Sequence, residues 1–175
     1  GRNLILNSKL ILLNGSDTDD NRNCSIIEND YVKIIPNKNG NVYNTAAVVT
    51  SEDRLKGVQY TISFEILSPT TIGFYWYPSE NYTKNNYIPA NEQWQKIVFT
   101  YIQTGDDSPN SLAKLFGFNN LIAGQTYKYR KLKLEIGNTA SDWTPAPEDM
   151  EAEMEDLIIS TENQFCIGES SVTPP

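Results

Sequence analysis

The stretch VQYTISFEIL, Val58–Leu67, alternates apolar and polar residues along its length. Ile62, Phe64 and Ile66 fall on one face, and Thr61, Ser63 and Glu65 on the other. A side-chain period of two belongs to a β-strand; wound as a helix, the same residues would scatter around the axis. The pattern recurs through most of the chain. Asn3–Asn7, Lys9–Leu13, Tyr31–Pro36, Val42–Thr50, Thr71–Pro78, Trp94–Ile102, Leu112–Phe118 and Thr126–Ile136 also read as strands. Polar, turn-rich segments separate them: Asn14–Asn23, Ser79–Gln93 and Gln103–Ser111. The Asn-Gly pair within Asn37–Asn41 predicts a hairpin turn. No helix is predicted before Pro147. Short strands at this spacing, with turn signals between them, specify an all-β chain, an antiparallel β-sandwich.

The tail breaks the pattern. Pro147–Ile158 is helix-permissive, with acidic residues at its start, where the helix dipole favours them. Met150, Met154, Leu157 and Ile158 form one helical stripe. That stripe suits a linker helix packed on the domain or the start of a helical stalk. Ser160–Pro175 reads as a strand or linker. The expected organisation is one β-sandwich module over residues 1–146. A helical linker and the start of a following, truncated module occupy 147–175. Gly1 and the closing Pro174-Pro175 suggest a piece of a longer polypeptide.

Charge and residue choice limit the chemistry. The net charge of −8 opposes a nucleic-acid backbone, and the densest basic run, Lys128–Lys133, alternates like the polar face of a strand. There is no histidine, which removes the commonest general base and metal ligand. Cys24 and Cys166 stand far apart and read as free thiols. No apolar run reaches the ~18 residues of a membrane helix. A glycosidase needs two carboxylates at a fixed separation. Glu65 with Glu135, or the pair Asp106-Asp107, could be assembled on paper, but no motif supports either, so no catalysis is expected.

Aromatic residues cluster in one region. Phe74–Tyr77 (FYWY), Tyr82, Tyr87 and Trp94 lie close together in sequence, interleaved with Asn81, Asn85, Asn86, Asn91 and Gln93. Strand alternation assigns Ile72, Phe74 and Trp76 to the core. Tyr75 and Tyr77 then face solvent, beside Glu65 and Lys96. Rings of this kind stack on the apolar faces of sugars, and amides and carboxylates reach sugar hydroxyls. The candidate contact residues are therefore Tyr75, Tyr77, Tyr82, Asn86, Tyr87, Glu65 and Lys96. The alternative reading is plainer: tyrosines favour strands and cover sheets. Trp94 opens a strand and is expected to be structural.

Four segments carry a resemblance. They are the opening GRNLILNS (Gly1–Ser8), GVQYTISFEI (Gly57–Ile66), WQKIVFT (Trp94–Thr100) and the closing KLEIGNTASDWTP (Lys133–Pro145). Together they resemble the carbohydrate-binding-module-like jelly-roll domain of bacteriophage tail and baseplate proteins of Gram-positive hosts. The resemblance spans Arg2 to about Asp149, and its closing signature is the specific part. It implies a two-sheet jelly roll on the virion, at the tail tip or baseplate. Acting outside the cell, the module would recognise cell-wall or cell-surface polysaccharide during adsorption. Other tail or baseplate proteins would be its partners, a homotrimer is one implied assembly, and neither nucleic acid nor membrane insertion is implied. The alternative is a spacer or oligomerisation module with no ligand of its own. The resemblance also implies neighbouring first and last strands, with Trp143 folded back to seal the open edge or end of the core. No cofactor is implied beyond a structural calcium between those strands, for which Glu135 is the candidate ligand. Gly15–Asn21 loosely resembles a calcium loop but lacks its central glycine and its bidentate glutamate.

Overall fold

A computed structural model describes residues 1–6, 11–15, 21–44, 48–77, 79, 86–109 and 115–171, with the side chains of Leu115 and of 164–171 excepted. The described strands are β1 (Leu13–Asn14), β2 (Ser25–Glu28), β3 (Tyr31–Ile34), β4 (Gly40–Asn44), β5 (Gln59–Ser68), β6 (Ile72–Tyr77), β7 (Asn86–Ile88), β8 (Asn91–Ile102), β9 (Leu115–Leu121) and β10 (Tyr127–Ile136). Helix α1, Pro147–Ser171, closes the chain. The strands form two five-stranded antiparallel sheets. Sheet I runs β1-β4-β9-β6-β7, and sheet II runs β2-β3-β10-β5-β8. This is the β-sandwich that the alternation specifies.

The inward residues of both sheets meet in one aromatic core. From sheet I come Phe74, Trp76, Phe116 and Phe118; from sheet II come Tyr60, Ile62, Phe64, Ile66, Tyr101, Tyr127, Tyr129, Leu132 and Leu134, all buried. Phe64 packs edge-on against Phe116 and Phe118, with ring centroids 6.1 and 5.6 Å apart. Such T-shaped contacts fill space and add to the burial of apolar area. At one end of the core lies a charged network. The Arg54 guanidinium pairs with Asp107 at 2.7 Å, donates to the Tyr101 hydroxyl at 3.1 Å and lies 4.8 Å from the centroid of the Trp76 ring. The Trp76 indole donates to the same hydroxyl at 2.6 Å. Burial pushes the Tyr101 phenol up to about 12, against the opposing influence of Arg54. It stays a neutral phenol that accepts from both Arg54 and Trp76.

Three sequence expectations need correcting. The Asn-Gly turn does not close a hairpin: β3 and β4 belong to different sheets, so this segment crosses the sandwich. The hairpin lies earlier, where β2 and β3 pair across Asn29 and Asp30, with Asn29 at φ 51°. Asparagine tolerates that left-handed backbone better than most residues. The expected loop Ser79–Gln93 contains β7 and the first residues of β8. Ser160–Pro175 is not a strand or linker through Ser171, because α1 continues to that residue.

The opening segment meets the last strand on sheet II. The Asn3 carboxamide donates to the Leu132 carbonyl at 2.9 Å and accepts from the Leu134 amide at 3.1 Å. The Leu4 amide donates to the Leu134 carbonyl at 2.9 Å. The opening segment thus lies along β10, bonded largely through one side chain. A bulge in β10 between Arg130 and Lys133, with Lys131 at φ 59°, turns both Arg130 and Lys131 outward.

Candidate functional site

Sheet I offers an aromatic outer face with no charged side chain among the described residues of its strands. Along β6, Ile72, Phe74 and Trp76 point inward and are buried, as the alternation predicts. Gly73, Tyr75 and Tyr77 point outward. Tyr75 pairs with Gly117 on β9, and Gly117 pairs with Tyr43 on β4. Gly73 pairs with Asn119 on one side and Tyr87 on the other. The two glycines shape this face. The Tyr75 ring lies across Gly117, and its hydroxyl donates to the Val42 carbonyl at 3.2 Å. A methyl group at 117 would collide with that carbonyl and come within 2.6 Å of the Tyr75 hydroxyl. The Asn119 side chain occupies the matching space over Gly73, its Cγ 2.9 Å from where a Cβ would stand. Absence of a side chain at both positions lets a ring and an amide lie flat on the sheet.

Tyr77 and Tyr87 complete the face at 37% and 62% exposure. Tyr87, the more open of the two, turns most of its surface to solvent. Tyr43 was not singled out in the sequence. Its register opposite Gly117 is what brings it to the group, and pairing between β4 and β9 cannot be read from local alternation. Asn86 sits at the inward register of the edge strand, opposite Phe74, whose carbonyl its amide approaches at 3.4 Å. Tyr82, with Asn81 and Asn85, lies outside the described residues.

Glu65 and Lys96 are not beside these tyrosines. They are cross-strand partners on β5 and β8, on the outer face of sheet II, at the opposite side of the sandwich. The expectation failed because alternation tells inward from outward, but not which sheet a strand joins. Glu65 accepts from the Arg130 Nε at 2.8 Å and lies 3.5 Å from the Lys131 Nζ. Arg130 also stacks over Trp94, 4.0 Å from its centroid. Trp94 is half-buried there and tilts against Tyr31 at 5.9 Å.

Trp143 also lies on this face. It does fold back onto β10, its indole donating to the Leu132 carbonyl at 3.0 Å. It does not seal the core, however. It is half-buried and lines a cleft on the outer surface of sheet II with Ser63, Glu65, Lys96, Lys131, Ser141 and Asp142. The segment carrying it is tied down by the buried Lys133, whose ammonium donates to the Ser141 hydroxyl at 2.8 Å and the Asp142 carbonyl at 2.7 Å. Glu135 beside it accepts from the Ser141 amide at 3.0 Å and from the Ser141 hydroxyl, and lies 3.8 Å from the Lys133 ammonium. Burial raises the Glu135 carboxyl, but the two bonds from Ser141, the chain's amino group and Lys133 outweigh it and hold it below the usual carboxylate range. A carboxylate so surrounded by donors is a poor calcium ligand, since cation and donors compete for the same lone pairs. Among the described residues no group of three or more His, Cys, Asp or Glu could hold a metal ion. Of the loosely calcium-like segment, Ser16–Asp20 lie outside the described residues.

The paired carboxylates weighed for catalysis are engaged elsewhere. Asp107 is buried on Arg54, and Asp106 accepts from the Lys56 amide at 2.8 Å. Cys24 is a buried free thiol.

No protein-family model and no curated protein matches the sequence. Solved structures do. The tripod of the baseplate of bacteriophage Tuc2009 aligns at 20% identity and a TM-score of 0.50, over 85% of this chain and 59% of the tripod chain. The chain thus spans less than two thirds of that protein. The N-terminal cellulose-binding domain of Cellulomonas fimi β-1,4-glucanase C aligns at 9% identity and a TM-score of 0.49, over 74% and 90% of the two chains. A structure described as a CBM4 module aligns at 14% identity and 0.44, over 75% and 81%. In fold, then, the chain is a two-sheet β-sandwich similar to a domain of a phage baseplate tripod.

Proposed function

We propose that this chain is a non-catalytic, saccharide-binding module of a phage tail or baseplate, and that it contacts its ligand through the outer face of sheet I. The observation that carries this reading is the tyrosine group: Tyr43, Tyr75, Tyr77 and Tyr87 share one outer surface, over two glycines that keep it flat. Stacking on ring faces plus a few hydrogen bonds to hydroxyls suits weak, repeated contact with a polymer, and many copies on one particle convert weak contacts into firm adsorption. The baseplate likeness supports placement on a virion, and the ligand proposed is cell-wall polysaccharide of a Gram-positive host.

The test is a pull-down of the labelled chain on purified cell walls from a panel of Gram-positive bacteria. Wild type is expected to bind at least one wall type. Tyr75→Ala with Tyr77→Ala is expected to lower binding at least tenfold, and Tyr87→Ala severalfold, with unchanged circular dichroism. A folded double variant that binds as wild type overturns the assignment to this face.

A second reading, a spacer that binds no saccharide and serves assembly, is favoured by a different observation. Helix α1 exposes Met150, Met154, Leu157 and Ile158 at 51–64%. Exposed apolar stripes mark contact surfaces, and a homotrimer built on α1 is the assembly it would serve. Sedimentation of the chain with and without 147–175 tests this; a monomer in both cases sinks it.

A further inference from the structure

We propose that the outer face of sheet II carries a second site, a cleft for one acidic sugar unit. The ring would rest against Trp143, and the anionic group would sit between Lys96 and Lys131. This inference does not rest on the tyrosine face. Its grounds are the cleft's size, its walls and its unused polar groups.

The cleft holds about 220 Å³. Pockets for drug-sized ligands run from ~300 to 1,000 Å³, so this one takes a single sugar ring, free or as one unit of a longer chain. One wall is the Trp143 indole. Its N–H is committed to the Leu132 carbonyl, which fixes the plane of the ring. The segment that carries it is anchored by Lys133 through Ser141 and Asp142. A platform fixed before binding loses little freedom on binding.

The polar groups are unevenly used. Glu65 is already neutralised by Arg130 and Lys131. Lys96, its cross-strand neighbour, is exposed and makes no hydrogen bond or ion pair with the described residues. The buried Ser63 side chain also lines the cleft, and its hydroxyl has no partner among them. An unopposed ammonium and an unused hydroxyl therefore stand beside an aromatic wall. Elsewhere on the same outer surface Lys33 and Arg130 are paired with Glu28 and with Glu65 and Asp30, while Lys128 lies over the Tyr31 ring, 4.9 Å from its centroid. Asp142 lines the cleft too and opposes an anion on its side, which directs the anionic group toward the two lysines. A carboxylate or a phosphate satisfies this chemistry equally, by charge-assisted hydrogen bonds to ammonium.

The test is two-dimensional amide NMR of the full chain titrated with four probes: trigalacturonate, maltotriose, glucose 6-phosphate and inorganic phosphate. The Trp143 indole resonance is assigned with Trp143→Phe. Trigalacturonate or glucose 6-phosphate is expected to shift the Trp143 indole and the Ser63 and Lys96 amides, and which of the two acts separates a carboxylate ligand from a phosphate. Maltotriose is expected to leave these signals in place. Lys96→Glu, at an exposed position, is expected to keep the fold and weaken the shifts at least tenfold. Tyr75→Ala with Tyr77→Ala is expected to leave them unchanged, so loss of the tyrosine site and loss of this one read out separately. Three results overturn the proposal. They are no shift with either acidic sugar, equal shifts with maltotriose, or shifts from inorganic phosphate as large as those from glucose 6-phosphate, which would mean an anion without a sugar.

Discussion

The two outer faces of this sandwich are built on opposite plans. Sheet I lays tyrosines over glycines and carries no charge among Tyr43, Tyr75, Tyr77, Tyr87 and Asn119. Sheet II carries ion pairs and a cation stacked on Trp94, and part of it is covered by the segment that follows β10. The first face depends on what is missing, two side chains whose absence lets rings lie flat. The second depends on what returns, a strap that buries Lys133 and Glu135 against the sheet. A flat face made by glycines should therefore fail through crowding. A strapped face should fail when its anchor is cut.

The largest expected effect is at that anchor. Lys133→Met removes a buried ammonium that holds Ser141 and Asp142 and faces Glu135. Breaking a buried charge pair by deleting one partner costs about 3 kcal/mol or more. Urea denaturation should show a loss of that size. If the two faces are independent, the same variant should lose the Trp143 response to acidic sugar while the tyrosine face, measured well below the variant's Tm, still binds cell walls. Concerted loss of both would break the comparison.

Gly117→Ala comes next. The added methyl would meet the Val42 carbonyl, which is backbone and cannot turn aside, and would displace Tyr75. Overpacking of this kind costs about 1–3 kcal/mol. Gly73→Ala meets only the Asn119 side chain, which can rotate away, so its cost should stay under about 1 kcal/mol. Thermal melts of the two variants sharpen the point: equal losses would show that the flatness of sheet I owes nothing to the backbone contact at Gly117.

What the sequence could and could not reveal follows the same division. The inward set of β5 and β6 was legible because a period of two is a local signal: Ile62, Phe64, Ile66, Phe74 and Trp76 are all buried. That Tyr75 and Tyr77 face outward was legible for the same reason. That Glu65 and Lys96 stand on the far side of the sandwich was not, because sheet membership is set by long-range pairing. The short β7 was hidden in a polar segment, and edge strands of three residues leave too few alternations to count. Trp143 was legible as a residue that folds back after the last strand. The face it folds onto depends on the bulge at Lys131 and on the Lys133 anchor, neither of which leaves a periodic trace. The length of α1 was missed because Ser160–Ser171 lacks the apolar stripe that marked its beginning.

The smallest effect concerns pH, and it belongs to the strapped face alone. The Glu135 carboxyl sits below its ordinary value of 4.5 when the chain is folded; burial raises it, but its bonds from Ser141 and the Gly1 amino group, with the nearby Lys133, outweigh that cost. A carboxyl with a lowered folded value binds fewer protons in the native state than in the unfolded one. Its contribution is therefore complete above pH 4.5 and is lost as pH falls from there through the lower folded value. Glu135→Gln keeps the shape but removes the charge. It should cost about 1 kcal/mol at neutral pH, the scale of a weakened hydrogen-bond set. The gap between wild type and variant should close as the solution is acidified below pH 4.5. Chemical denaturation across that range measures the gap directly. Absence of a gap at neutral pH would mean that Glu135 holds the strap by its shape and not by its charge. In that case the contrast between a face held flat by glycines and a face held down by ions would lose its electrostatic half.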